Sequence, residues 1–174
     1  IQKRIQSEYT IDKVGIEFVG WKTCADAPEA DIVVHATSHF LDPADKDLLG
    51  KANIGTSASG LAMKRTSKGF IFLNMVDGSA KVTSTEKLLV TTVHEFGHAA
   101  GLRHEHIRQD ARNDENCKYR FKEGKIPVEN QKTAKYIGKY DPESIMNYCY
   151  TWYIRNRKGV NSYEDIHLSD LDRQ

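Results

Sequence analysis

The segment between His94 and His104 constrains this chain more than any other part of its sequence. It reads HEFGHAAGLRH and contains three of the seven histidines among 174 residues. A fold that accommodates this sequence has to bring several imidazoles to the end of one helix. A helix is predicted to run into the segment, because apolar residues recur there at helical spacing: Leu89, Val93, Phe96 and Ala100.

The ends of this helix are predicted at residues 83 and 101. Thr83 and Glu86 match a capping box, in which two side chains bond reciprocally to free main-chain N–H groups. Gly101 supplies the stop, because glycine readily takes the left-handed conformation that ends many helices.

The histidine spacing predicts a metal site. His94 and His98 are four residues apart, so a helix directs both rings to one side. Neutral imidazole is the usual nitrogen ligand of Zn²⁺ in proteins. A positive φ at Gly101 costs little and turns the chain, so His104 can return as a third ligand. Three protein nitrogens leave one coordination position open, which is typical of catalytic zinc sites.

Glu95 distinguishes a catalytic site from a site that only binds metal. It follows His94 and lies about 100° further around the helix, so its carboxylate can reach a water on the ion without binding the ion itself. A carboxylate in that place can act as a general base. The alternative interpretation is a polar helix end with solvated histidines.

Two other histidine arrangements compete with this set. His35 and His39 are also four residues apart, but they fall on a predicted strand, where four residues span about 13 Å, and one ion cannot bridge them. His106 could replace His104 as the third ligand. We favour His104 because of its spacing from Gly101, and we expect His106 at the surface or beside a ligand.

The remaining pattern predicts an α+β protein of one domain. The first half alternates between strand and helix patterns, whereas the residues after 104 are charged and irregular. The length of 174 residues suits a single domain. Strands are predicted at 14–21, 30–36 and 69–76, an exposed edge strand at 53–62, a turn at 77–79, and helices at 1–9, 41–49 and 128–136.

Charge and hydropathy exclude several classes of partner. The net charge is +1, so no strong field favours nucleic acid or an anionic membrane. The most apolar run, at 70–76, is far too short to cross a bilayer, and the first residues lack the apolar core of a signal peptide. We expect a monomer that binds neither nucleic acid nor membranes.

The three cysteines have no CxxC spacing, which excludes a zinc ribbon or a thioredoxin-type motif. One disulfide with one free thiol and three reduced thiols both stay open. If a disulfide forms, the pair that we favour is Cys117 with Cys149, because both follow the histidine segment.

The histidine segment resembles the long zinc-binding signature HExxHxxGxxH of the metzincin metallopeptidases. About forty residues further on, SIMNY (Ser144 to Tyr148) is similar to their Met-turn, which lies beneath the metal. Within the metzincins the astacin family is the most similar, because Glu105 follows the third histidine and Tyr148 lies two residues after Met146. Leu102 replaces the usual astacin phenylalanine, and three cysteines stand where astacins commonly have four.

The resemblance implies a metzincin-like α+β fold. In that fold a twisted, mostly parallel sheet has an antiparallel edge strand and packs against the active-site helix. An irregular C-terminal subdomain follows, with zinc in the cleft between. We therefore expect a single catalytic domain over 1–174, with an N-terminal subdomain at 1–101 and a C-terminal subdomain at 102–174.

The resemblance also implies a role for each matching residue. Glu105 would contact the mature N-terminus, and Met146 would form the floor of the site. Zinc would be bound by His94, His98 and His104, with Glu95 as general base and then acid, and with Tyr148 as a displaceable ligand that hydrogen-bonds the reaction's oxyanion.

The implied function is a secreted, zinc-dependent endopeptidase that hydrolyses peptide bonds through a metal-activated water. A polypeptide substrate would lie extended along the edge strand near Gly55 to Leu61, and the precursor could carry a propeptide. Two other functions compete: a zinc hydrolase that acts on other bonds, and a metal-binding module without catalysis. Glu95 argues against the module, because metal binding alone needs no base.

Overall fold

The computed structural model describes residues 1–38, 48–54, 69–76, 81–115, 117, 137–151 and 166–173. The predicted helix at 128–136 and the turn at 77–79 lie outside them, as do most of the predicted helix at 41–49 and most of the edge strand at 53–62. Within the described residues, no helix is long and apolar enough to cross a membrane.

The chain divides into two compact units, Ile1–Arg103 and His104–Gln174. The described part of the first unit contains α1 (Gln2–Glu8), α2 (Ile11–Val14), β1 (Ile32–Thr37), β2 (Gly50–Ala52), β3 (Gly69–Asn74) and α3 (Thr85–Ala99). The described part of the second contains 3₁₀ turns at Glu105–Ile107 and Asp110–Asn113 and a short helix, α4 (Tyr148–Thr151).

The sheet of the first unit is mixed, as expected for the predicted α+β class. β3 lies between its partners and pairs in parallel with β1 and antiparallel with β2. Its apolar residues bury the face toward α3, with Ile71 and Leu73 fully buried. The antiparallel edge strand of the described sheet is thus β2. It ends directly before residues 53–62, where the edge strand was predicted.

The strand predicted at 14–21 is wrong. α2 ends at Val14, and the residues that follow are irregular, because Gly15 and Gly20 adopt positive φ values of 68° and 74°. One of the apolar residues whose alternation predicted a strand packs against α3 instead. Phe18 packs edge-to-face on Phe96 of α3, with ring centroids 4.7 Å apart.

The N-terminal cap of α3 also differs from the prediction. Ser84, not Thr83, accepts the N–H of Lys87, and α3 begins at the next residue. The Thr83 hydroxyl instead donates to the Asn74 carbonyl at the end of β3. The predicted C-terminal stop is confirmed, because Gly101 has φ 105° directly after the helix.

The N-terminal residues hold α3 at the turn that bears His94. Ile5 is fully buried, and the buried Tyr9 hydroxyl donates to the Val93 carbonyl at 2.7 Å. Trp21 packs on Phe96 from the irregular segment, with ring centroids 5.7 Å apart. These contacts restrain both the main chain and the apolar side of the helix around the ligand positions.

The second unit has a small core around a disulfide. Cys117 and Cys149 form this bond, with Cα atoms 5.2 Å apart, and both are fully buried. The partly buried Tyr140 packs against this core, and its hydroxyl lies 3.3 Å from the Cys117 sulfur. The disulfide pair favoured from the sequence is therefore confirmed, and Cys24 is an exposed free thiol.

Candidate metal centre

Two of the predicted ligands lie on the last turns of α3. The helix is buried continuously from residue 92 to residue 99, so His94 and His98 are 5% and 6% exposed. Their ring centroids are 4.8 Å apart and the rings are nearly perpendicular. Helical spacing has therefore placed both rings on one side, as the sequence predicted.

A main-chain bond orients the ring of His98. After Gly101 turns the chain, the Leu102 N–H donates to the Gly97 carbonyl at 2.9 Å, and the Leu102 carbonyl lies 2.8 Å from His98 Nδ1. In a neutral ring that donates from Nδ1, the lone pair is on Nε2. Metal-binding histidines are commonly oriented by such a bond.

His104 completes the donor set. It is half-buried and has extended backbone angles immediately before the 3₁₀ turn Glu105–Ile107. The ligating atoms of His94, His98 and His104 all lie within 4.8 Å of one another, so the three could bind one metal ion. A set of three imidazoles fits Zn²⁺ with a position left for water.

Glu95 adds a buried acid beside these ligands. It is 3% exposed, and burial raises the pKa of its carboxyl from 4.5 to about 8. Within the described part of the chain, its Oε2 atom has no hydrogen-bond partner. A buried carboxylate oxygen without a partner is costly, and groups of this kind are typical of sites that bind a ligand or transfer a proton.

Tyr148 is the first residue of α4 and lies beside the third histidine. Its ring centroid is 4.5 Å from that of His104. It also stacks on His106, with centroids 4.7 Å apart and 19° between the planes. The tyrosine that the Met-turn motif singled out is thus next to a candidate ligand within the second unit.

His106 does not lie at the surface, which was one of its two predicted places. It is 5% exposed, and its Nδ1 atom accepts the main-chain N–H of Tyr148 at 3.1 Å. Its ring centroid is 5.0 Å from that of His104, so it lies beside a candidate ligand, which was the other predicted place. The sequence could not identify Tyr148 as its partner, because the two residues are 42 positions apart.

The Met-turn is bonded to both ends of the second unit. Met146 is buried, and its carbonyl accepts the N–H of Glu105 at 3.0 Å. Near the C-terminus, the Asp172 carboxylate accepts the Ser144 hydroxyl at 2.6 Å and the Ile145 N–H at 3.0 Å. Glu105, which follows His104, is thereby linked through the main chain to Met146, two residues before Tyr148.

Asn147 satisfies the polar groups inside the Met-turn. It is fully buried, and its amide nitrogen donates to the Tyr140 hydroxyl at 2.7 Å and to the carbonyls of Asp141 and Pro142. Its amide oxygen accepts the N–H of Cys149 at 2.9 Å. The sequence offered no signal for this role beyond the place of Asn147 between Met146 and Tyr148.

Glu105 bonds to the main chain and to a cation within the second unit. Its Oε1 atom accepts the Asp141 N–H at 2.8 Å and lies 3.3 Å from Arg108. Burial raises its pKa to about 6, against the effect of both partners. Arg108 also makes two 3.0 Å bonds to Asp110, whose pKa these bonds lower. The predicted contact of Glu105 with the mature N-terminus stays a prediction.

The chain matches the model of a known protein family. A reprolysin model of the metallo-peptidase family M12 matches residues 26–160, well over half of the chain. The match covers the three histidines, Glu95 and the Met-turn. Among curated proteins and among solved structures, no significant similarity is found.

Proposed function

Because the chain belongs to the metallo-peptidase family M12, a family of metzincin-type zinc peptidases, we propose that it is a zinc-dependent endopeptidase. The observation that carries this proposal is the donor set of three histidines next to a buried carboxylate oxygen that has no hydrogen-bond partner among the described residues. The finer assignment to the astacin branch rests on Glu105 and Tyr148, which occupy the positions that astacins show.

His94, His98 and His104 would hold the zinc ion. When bound there, zinc supplies Lewis acidity, which activates water as a nucleophile near neutral pH and polarises a carbonyl group. The orientation of His98 by the Leu102 carbonyl supports its assignment, because the ring nitrogen left for the ion then carries a lone pair.

Glu95 would move the proton. Its carboxylate takes a proton from the attacking water and then delivers it to the peptide nitrogen as the C–N bond breaks, so the leaving group departs as an amine. Burial makes the ionised form a stronger base than an exposed carboxylate. The carboxyl is therefore suited to both halves of the transfer.

Tyr148 would donate a hydrogen bond from its hydroxyl to the oxyanion of the tetrahedral intermediate. Support comes from its ring, which lies 4.5 Å from the His104 ring and is held by a stack on His106. A rigidly packed ring restricts where the hydroxyl can reach, which suits a group that meets charge only in the transition state.

We further propose that the whole chain acts as one catalytic domain and cleaves an extended polypeptide bound along the sheet edge. The predicted binding strand near residues 55–61 lies outside the described residues, but β2 ends three residues before it and runs antiparallel to β3. Secretion is supported by the family, whose members are commonly extracellular, and by the disulfide, which persists in oxidising compartments. A propeptide in the precursor and a monomeric state are part of the same proposal.

The decisive test is Glu95→Gln. This variant should keep one zinc per chain and lose casein or gelatin cleavage by about 10³-fold or more, because the proton carrier is gone. Glu86→Gln is the matched control, since it makes the same change at an exposed position in the first turn of the same helix. The parent activity should also disappear with phenanthroline and return with added zinc.

Other outcomes would support the rival functions. A Glu95→Gln variant that cleaves as well as the parent would overturn the role of Glu95. One bound zinc without turnover of any peptide in a library would favour a metal-binding module. Cleavage of esters without cleavage of peptides would favour a different zinc hydrolase.

A further inference from the structure

Gly50 lies directly against the catalytic turn of α3. It is the first residue of β2 and pairs with Leu73 of β3 on the edge of the described sheet. Its Cα faces Thr91 and Glu95, two residues four apart on the same side of the helix. The main chain of the sheet and the side chain of Glu95 are therefore neighbours at this position.

A side chain at residue 50 would occupy the place of the Glu95 carboxylate. A Cβ atom built there lies 2.5 Å from Glu95 Oε1, 2.7 Å from Glu95 Cγ and 2.7 Å from Thr91 Cγ2. Carbon atoms in contact are normally about 3.5–4.0 Å apart. Even alanine, the smallest side chain, would force one of its neighbours to move.

Of the two neighbours, Glu95 is the one that would move. Thr91 is β-branched and therefore stiff on a helix, and its hydroxyl donates to the Lys87 carbonyl at 2.9 Å, which fixes the rotamer. Glu95 has three rotatable side-chain bonds and an Oε2 atom without a partner in the described residues. A methyl group at position 50 would thus displace the carboxylate.

Space, not backbone conformation, requires the glycine. Gly101 shows the opposite case: its φ is 105°, and a Cβ built there meets no atom within 4 Å among the described residues beyond its chain neighbours. Gly50 has no positive φ and adopts a strand conformation that any residue can adopt. Glycine weakens a strand and often marks the close approach of another group. Here that group is the proposed general base.

We infer that Gly50 is a positioning residue for the reaction: its missing side chain leaves the place in which the Glu95 carboxylate is held. The inference rests on the proposed function, because it presumes that Glu95 transfers a proton. It adds that the sheet edge sets the position of the carboxylate. It also adds that residue 50 affects turnover through its contact with Glu95.

The first test is Gly50→Ala. We expect kcat to fall by about 10²-fold, the loss that a 1 Å misplacement of a reacting group can cause. KM should stay within about threefold, and zinc should remain at one per chain, because the candidate ligands and the proposed substrate-binding strand are other residues. Lys51→Ala is the matched control: it changes the next residue of the same strand, whose side chain is exposed, and should leave kcat unchanged.

The second test asks whether removing the contact with Thr91 Cγ2 restores part of the kcat that Gly50→Ala loses. Thr91→Ser removes the Cγ2 atom that blocks one side of the added methyl group. The double variant Gly50→Ala/Thr91→Ser should recover kcat by about tenfold relative to Gly50→Ala, and Thr91→Ser alone should resemble the parent. All assays are made at a temperature where circular dichroism shows every variant fully folded.

A third readout does not depend on activity. Glu95→Ala removes both atoms of residue 95 that the added methyl group would meet, so Gly50→Ala should lower the Tm of the Glu95→Ala variant less than it lowers the Tm of the parent. Equal Tm losses in both backgrounds, or a folded Gly50→Ala variant with the parent's kcat, would overturn the inference. Failure of the proposed function is separate, because it appears as an inactive parent or an active Glu95→Gln variant.

Discussion

His94 and His98 come from a regular helix, whereas His104 comes from a segment with little regular structure. The ladder of main-chain hydrogen bonds in α3 fixes the spacing of the first two, and their helix is buried along its last two turns. His104 instead precedes a 3₁₀ turn of three residues. The same donor set is therefore built by two different means.

The position of His104 depends on hydrogen bonds to residues that are distant in sequence. The next residue, Glu105, donates its N–H to Met146 and accepts the N–H of Asp141. Asn147 and Asp172 then fix the Met-turn through buried or half-buried bonds. Position is carried by backbone geometry in α3 and by individual side chains in the second unit, so point substitutions should affect the two regions differently.

The largest expected effect comes from removing a ligand on α3. His98→Ala should weaken zinc binding by more than about 100-fold, which is the most that losing a hydrogen-bond partner of a ligand usually costs, and peptide cleavage should fall to background. The fold of α3 should persist, because alanine favours helix. Metal analysis after dialysis and circular dichroism measure the two effects.

The control is His167→Ala, which changes an exposed histidine in the second unit and should retain zinc. A His98→Ala variant that still holds one zinc with the parent's affinity would remove His98 from the ligand set. In that case α3 would contribute a single ligand to the site.

This difference explains what the sequence could predict. The helix, its two ligands and Gly101 follow from periodicities within a few residues, and β1 and β3 follow from short apolar runs between turn signals. The donor set was predictable for the same reason, because its spacing rules are local. The resemblance to the metzincins then added Met146 and Tyr148, which no local rule could have selected.

The rest depended on contacts between distant residues. The strand predicted at 14–21 failed because Phe18 is buried on Phe96 in a segment kinked by two glycines. The roles of His106 and Asp172 depend on partners 42 and 28 residues away. Gly50 reads as an ordinary glycine in the sequence, and only packing shows that a carboxylate lies against it.

The second prediction concerns the region that lacks a main-chain ladder. Cys117→Ser/Cys149→Ser should lower the free energy of unfolding by about 3 kcal/mol, because the bond closes a loop between residues 32 apart. Urea unfolding followed by tryptophan fluorescence gives the value. Cys24→Ser is the control and should change stability by less than about 0.5 kcal/mol, since that thiol is exposed. A double variant as stable as the parent would show that side-chain bonds alone hold this core.

A smaller effect is expected at the start of α3, the helix that carries His94 and His98. Ser84→Ala should cost about 1 kcal/mol, because the N–H of Lys87 loses its acceptor. Ser84→Asp should retain stability, since aspartate also caps and carries a favourable charge at a helix N-terminus. Thermal unfolding of these variants beside Thr85→Ala, at the exposed first helical residue, tests the assignment. If Ser84→Ala loses no more thermal stability than Thr85→Ala, Ser84 is not the N-cap and the predicted cap, Thr83, is favoured.

The smallest effect is electrostatic and belongs to the irregular region. The bonds from Arg108 hold the pKa of Asp110 below its usual 3.8. A carboxyl whose pKa is lowered in the folded state contributes stability above its unfolded pKa and loses that stability as the pH falls through the folded pKa.

Asp110→Asn should therefore lower the free energy of unfolding by only about 0.5 kcal/mol at pH 7, because the side chain is 48% exposed. The difference from the parent should shrink as the pH falls below about 4, the ordinary pKa of an aspartate, and it should also shrink in 0.5 M salt. Arg108 keeps Glu105 and the carbonyls of residues 137 and 138 as partners, which limits the loss. Urea unfolding at pH 7, 5 and 3 measures it, and a constant difference across this range would mean that shape, not charge, joins Asp110 to Arg108.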